Sequence, residues 1–168
     1  MSMQTWTTYA YGVRENDIDK ITTKTMWNVF MNLRIASDID TFNTKLDEFC
    51  AEEGLTSRNE MTDENITDFV ISYYENNTDH FIPSAEALVL GELVAKFLNV
   101  NFYNILTEMN EDDQKIVGIS AYHPWEMPDR LKSASEEDYK NAFINAFAIL
   151  GIDGKCCNIS DQSLENWG

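Results

Sequence analysis

Chemistry at neutral pH needs a titratable base, an activated nucleophile or a set of metal ligands, and this chain holds few of each. Its two histidines are His80 and His123, and its cysteines are Cys50, Cys156 and Cys157. His123 stands in Tyr122-His-Pro-Trp-Glu-Met-Pro128, an aromatic segment whose two prolines restrict the backbone around them. A general base there would need a partner nucleophile, and no serine or cysteine on a recognisable elbow accompanies it. A structural role for His123, packing the segment, is the favoured reading. His80 lies beside Asp79 in a polar stretch and reads as a surface residue. Cys156 and Cys157 are adjacent, without a Cys-x-x-Cys spacing or a completing histidine, and read as one buried and one exposed thiol. Asp38-Ile-Asp40-Thr-Phe42 opens like a calcium loop, but Phe42 stands at the third ligand position and no glycine or terminal glutamate follows in place. Glu111-Asp112-Asp113 carries charge for a hard cation without a defined cage. These patterns predict no catalytic residue, no metal and no cofactor.

Acid is what the chain holds in excess. It has 29 Asp and Glu against 12 Lys and Arg, for a net charge of −17 in 168 residues. A small domain ordinarily carries about 2–8 charges of net excess. The basic residues are scattered and form no patch interleaved with aromatics, which argues against direct binding of nucleic acid. Anionic membrane surfaces are disfavoured for the same reason. A surplus of this size fits a basic partner, or solubility alone. The candidate partner-binding carboxylates fall in three groups. Asp40, Asp47, Glu48 and Glu52 lie on one expected helix, Glu64 and Asp68 on the next, and Glu108, Glu111, Asp112 and Asp113 around a hairpin tip. Together they would imitate a phosphate backbone and occupy a cationic groove.

The elements that would carry these groups follow from hydrophobic period. Gln4–Val13, dense in Thr, Tyr and Trp, predicts a strand that Gly12 ends. Asn16–Lys20 reads as a turn. Met26, Val29, Phe30 and Leu33 predict a helix over 20–33. Ile39, Phe42, Leu46, Phe49 and Cys50 predict a second over 38–53, stopped by Gly54. Thr62 caps a third, with Ile66, Phe69, Val70 and Tyr73 on its stripe. A loop covers 75–83. Ser84 caps the most apolar helix, in which Leu90, Leu93, Val94, Phe97 and Leu98 share a face and Asn99 is the stop. Gly91 inside it suggests a close backbone neighbour. Val100–Leu106 and Lys115–Ala121 predict an antiparallel hairpin over 100–121. Ser135 and Asp138 open a fifth helix in capping-box style, with Gly151 at its end. Cys156–Ile159 would add a short edge strand, and 160–168 would form a loosely held tail.

That order predicts one α+β domain over 1–168, a small antiparallel sheet packed against about five helices. A helical bundle carrying a hairpin is the alternative. A chain of this length buries about 70% of its unfolded surface. An odd cysteine count, the absence of a signal-like start and the absence of a membrane-length apolar run predict a cytoplasmic setting. The sequons at Asn65, Asn76 and Asn158 would then be silent.

Three patches, Thr5-Trp-Thr-Thr-Tyr-Ala-Tyr-Gly-Val13, the Tyr122–Pro128 segment and Asp161-Gln-Ser-Leu-Glu-Asn-Trp-Gly168, resemble a group of short acidic proteins of Gram-positive bacteria and their phages. Those proteins often begin with a tyrosine-glycine-tyrosine-glycine run, where this chain has Tyr9-Ala10-Tyr11-Gly12. The resemblance implies a phage-borne accessory protein of the anti-CRISPR type, acting in the host cytoplasm on a CRISPR effector or another nuclease. It carries no catalytic residues across. Rival expectations are a toxin-neutralising immunity protein, a small enzyme with a pocket around Tyr122–Trp125, and a homo-oligomer with Trp125 or Trp167 at its interface.

Overall fold

Strand β1, Thr5–Arg14, is the axis of the sheet because both of its neighbours come from the far end of the chain. The computed structural model describes residues 4–74, 84–120 and 127–167. The expected loop over 75–83 with His80, and the expected pocket residues Tyr122, His123 and Trp125, lie outside the described residues. β1 pairs antiparallel with β4, Ser160–Trp167, from Thr5 opposite Trp167 to Gly12 opposite Ser160. It also pairs antiparallel with β3, Lys115–Ile119, from Tyr11 opposite Ile119 to Arg14 opposite Ile116. β2, Leu106–Met109, adds outside β3, giving the order β2-β3-β1-β4. The fold class is therefore α+β, as expected.

The sheet is corrected at both ends. Residues 160–167 are not a loose tail but the longest pairing partner of β1, and the C-terminal strand begins at Ser160 rather than Cys156. Alternation explains it: Gln162 and Leu164 are buried while Asp161, Ser163 and Glu165 are exposed. The first hairpin strand starts at Leu106, since Phe102–Asn104 form a 3-10 turn after Asn99 closes the preceding helix in the left-handed region, at φ 57°. Gly12 does not end β1. It sits opposite Gly118, and a Cβ there would stand 1.9 Å from the Val117 carbonyl oxygen. At Gly118 a Cβ would fall 2.7 Å from the Tyr11 carbonyl oxygen and 2.8 Å from the Ala10 Cβ. Only two glycines permit that approach. It lets β3 and β4 lean together over the outer face, where Ile116 of β3 and Leu164 of β4 meet Ala10 in a small second core.

Tyr11, Val13, Val117 and Ile119 face the other way, into the main core with the helices. α1, Glu15–Ile18, replaces the expected turn, because Ile18 is wholly buried there. α2 is Thr23–Ser37, later than expected at both ends; Thr22 caps it by accepting from the Thr25 amide. α3 is Ile39–Glu52 and α4 is Asp63–Tyr74. α5, Ala85–Leu98, capped by Ser84, is buried almost all round and packs against β2, β3, α2, α4 and α7. α6, Asp129–Ser133, was not expected; α7 is Glu136–Ile149, with the Ser135–Asp138 capping box formed in both directions. Ile39 and Phe97, placed on buried stripes by period, are 37% and 43% exposed. Gly91 is approached by the side chains of Thr107 and Phe102, not by backbone.

Replacing Gly12 by Ala forces a Cβ into the β3 backbone, and should cost about 3 kcal/mol or more. Urea unfolding followed by circular dichroism measures it. An unfolding midpoint unchanged from the parent chain would refute the close approach.

Candidate functional site

Acid on the helical layer is organised by the antiparallel seam of α3 and α4. Phe42, Leu46 and Cys50 turn inward from α3, and Phe69 and Val70 from α4, with the Phe49 and Phe69 rings 5.3 Å apart across the join. A helix that buries one stripe leaves the residues between it facing water. Between the two helices runs a groove of about 220 Å³, lined by Lys45, Glu48, Phe49 and Glu52 from α3 and Phe69, Ser72 and Tyr73 from α4. Glu48 and Glu52 stand one turn apart on α3, and Asp40 lies about two turns before Glu48. Glu64 and Asp68 stand two turns and one turn before Ser72 on α4. All five are exposed, and among the described residues none forms an ion pair. Asp47 is turned aside: Arg58 reaches it at 2.9 Å and also donates to the Asn43 side chain at 3.1 Å.

The hairpin acids form a separate group, since α5 packs between α4 and β2. Their turn is built rather than slack. Asn110 is buried; its Oδ1 accepts from the amides of Asp112 and Gln114, and its Nδ2 donates to the Glu165 carbonyl at 2.7 Å. Asp113 takes a left-handed φ of 59°. Glu111, Asp112 and Asp113 are exposed, and Glu108 is half-buried, accepting from Thr8 at 3.3 Å. Two acids that sequence reading left out join this end. Glu15 accepts the Lys115 amide, and Asp19 pairs with Lys115 at 2.8 Å.

A buried polar centre was missed altogether. Arg34 lies four residues after Phe30, on the apolar stripe of α2, and is 8% exposed. Its Nη2 is paired with Glu92, the one acid in the middle of α5. Its Nε approaches Asp38 Oδ1 at 3.5 Å but has no hydrogen bond. Tyr74 donates to the other Glu92 oxygen at 2.7 Å, and Tyr73 donates to Asp38. The guanidinium lies 5.2 Å from the ring centres of Phe30 and Tyr73 and 5.8 Å from that of Tyr74. Burial opposes its charge, yet Glu92, Tyr74 and Asp38 outweigh burial and push its pKa up. Tyr73 is pushed up to about 12, by burial first and then by its bond to Asp38. Burial, and then Glu92, raises Tyr74 well above an ordinary phenol. The signal for this centre was legible: a cation on an apolar stripe, and an acid inside an apolar helix.

The two adjacent thiols differ in setting. Cys156 is exposed on a 3-10 turn and Cys157 half-buried just after it. Burial, then the charge of Asp17, pushes Cys157 up to about 11, which keeps it a thiol at neutral pH. Asp17 itself is occupied, accepting from Lys20 and from the Asn158 amide at 3.0 Å each. Among the described residues no cluster of three or more His, Cys, Asp and Glu is arranged to hold a metal ion. Nor is any helix among them long and apolar enough to cross a membrane. Comparison with protein-family models, with curated proteins and with solved structures found no match for the chain.

Removing Arg34 leaves two carboxylates without their cation, so Arg34→Met should cost about 3–5 kcal/mol in urea unfolding. The double variant with Glu92→Leu should cost less than the two single changes added; additive losses would show the pair to be uncoupled. The tyrosines set an alkaline limit. Their folded-state pKa values lie above that of the unfolded chain, so the folded form holds its protons longer. Stability is full below pH about 10 and falls as pH rises toward about 12. Unfolding midpoints across that window should drop, and drop less in Tyr73→Phe/Tyr74→Phe; identical slopes would remove these phenols from the account.

Proposed function

We propose that this chain is a non-catalytic acidic binding protein that covers a cationic, nucleic-acid-binding surface of a partner protein. The observation that carries the reading is the α3–α4 groove. Glu48 and Glu52 line it, Asp40 lies toward the start of α3, and Glu64 and Asp68 lie on one face of α4. None of the five forms an ion pair among the described residues, which leaves them open to a partner. Carboxylates held on two rigid helices lose little freedom on binding, which suits fixed spacing against a row of Lys and Arg. The hairpin tip, with Glu111, Asp112 and Asp113 braced by Asn110, extends the acid to a second face. A CRISPR effector or another nuclease has the kind of surface this charge pattern matches, in keeping with the phage-protein resemblance. A basic toxin would be met by the same residues and differs only in the partner.

The test is capture of a panel of basic nucleases, a CRISPR effector and basic toxins included, by the immobilised full chain. Retention should weaken as salt rises from about 0.05 M to about 0.5 M, because screening shortens the reach of exposed charges. Glu48→Lys/Glu52→Lys/Glu64→Lys/Asp68→Lys should abolish retention, mostly through the association rate. Capture that ignores both salt and charge reversal would overturn the reading.

A further inference from the structure

A cavity of about 710 Å³ opens beside the sheet, away from both acid groups, where β1 and β4 meet α6 and α7. Its walls are aromatic and aliphatic: Tyr9, Tyr11 and Tyr139, with Ile119 and Leu131. Two of the tyrosines are fixed by their own hydroxyls. Tyr139 donates to the Leu131 carbonyl at 2.5 Å and Tyr11 to the Ile159 carbonyl at 3.5 Å, and their ring centres stand 6.0 Å apart. The polar groups at the cavity are unequal in kind. Glu136 and Asp161 are acceptors only. Lys132 is the one cation among the described lining residues.

Acceptors set against tyrosine rings ask for a ligand rich in donors that can also lie on a π-face. A guanidinium has five N–H donors in a plane and stacks on aromatic rings, whereas an ammonium offers three donors at a point. A phosphate or carboxylate ligand would meet two like charges. The volume admits an arginine together with the residues that flank it. We propose that this cavity is a binding site for an arginine side chain presented by the partner protein. The assignment of source rests on the acidic-binding reading above; the chemistry of the site does not. Burial first, and then the charges of Glu136 and Asp161, raise the Tyr11 phenol, in keeping with their place in the same cavity wall.

The test titrates the ¹⁵N-labelled full chain with Nα-acetyl-argininamide and, separately, with Nα-acetyl-citrullinamide, its neutral near-isostere. Saturable amide shifts should centre on Tyr9–Tyr11, Ile119, Glu136 and Asp161, with the citrulline compound at least about tenfold weaker. Glu136→Gln/Asp161→Asn, both at exposed positions, should weaken the arginine compound about fivefold or more with an unchanged melting temperature. Tyr9→Ala, at a side chain 58% exposed, should weaken it without unfolding the chain. Equal response to the two compounds, no saturable shift, or shifts centred on α3 and the hairpin tip would each overturn the site. The nuclease panel is read separately. Loss of capture with the cavity intact would strike the acidic surface alone, and retained capture with a silent cavity would strike the cavity alone.

Discussion

The sheet turns on one contact, the approach of β1 and β3 backbones at Gly12 and Gly118. Every other residue type would put a Cβ inside the opposing chain at these points. Because the strands draw so close, the sheet curls, and residues on strands that flank β1 on opposite sides, Ile116 and Leu164, come into contact over its outer face. The curl also brings the hairpin tip within reach of β4, where Asn110 fastens to the Glu165 carbonyl. Without it the acidic tip would stand free of the sheet. Thus two missing methyl groups decide where a cluster of charges is displayed.

The same contact has a folding consequence. β1 is made first along the chain, but both of its partners come from the last third, and β4 pairs with it across more than one hundred intervening residues. Pairing at such separation must meet the loop-closure entropy before any strand contact compensates for it. The intervening helices lower that cost by forming locally. Their own junction is the Arg34 centre, where α2, α4 and α5 are joined through one guanidinium, two carboxylates and two phenols. A buried ion pair contributes little net stability over apolar packing of the same volume, but it penalises any register of the three helices that leaves a charge unpaired. The hydrophobic stripes alone would tolerate a slide; the charges would not.

Local pattern made much of this legible. Caps at Ser84 and Ser135, the stop at Asn99 and most of the stripes of α3, α4, α5 and α7 are short-range features, and apart from the exposed Ile39 and Phe97 the structure shows them where the residues placed them. What escaped depends on partners far away in sequence. Ser160–Trp167 looked like a tail because its alternation is weak and its partner strand lies at the other end of the chain. Gly12 looked like a stop because nothing near it in sequence announces Gly118. Arg34 lies one residue past the expected helix end at Leu33, and Glu92 is one of 29 acids, so only their pairing across α2 and α5 sets them apart. The carboxylates were legible as a surplus, not as an arrangement. That Glu48 and Glu52 share a groove while Asp47 turns to Arg58 is a property of the α3–α4 seam.

Solubility alone would account for a net charge of −17, and it makes no demand on where the charge lies. Self-repulsion favours spreading like charges evenly and pairing them where cations permit. This chain does the opposite in two places. Along α3 and α4, among the described residues, Asp40, Glu48, Glu52, Glu64 and Asp68 form no ion pair, although Lys45 is at hand in the groove and lies instead over the Tyr73 ring. At the hairpin it spends a buried asparagine on fixing a turn whose exposed residues are all acidic. A turn needed only for connection would relax that repulsion with a neutral or basic residue. Holding like charges together on rigid supports is a standing cost to the folded chain, and an opposite charge from outside removes it on contact. The arrangement of the acids, more than their number, is therefore what supports the proposed cationic counterpart.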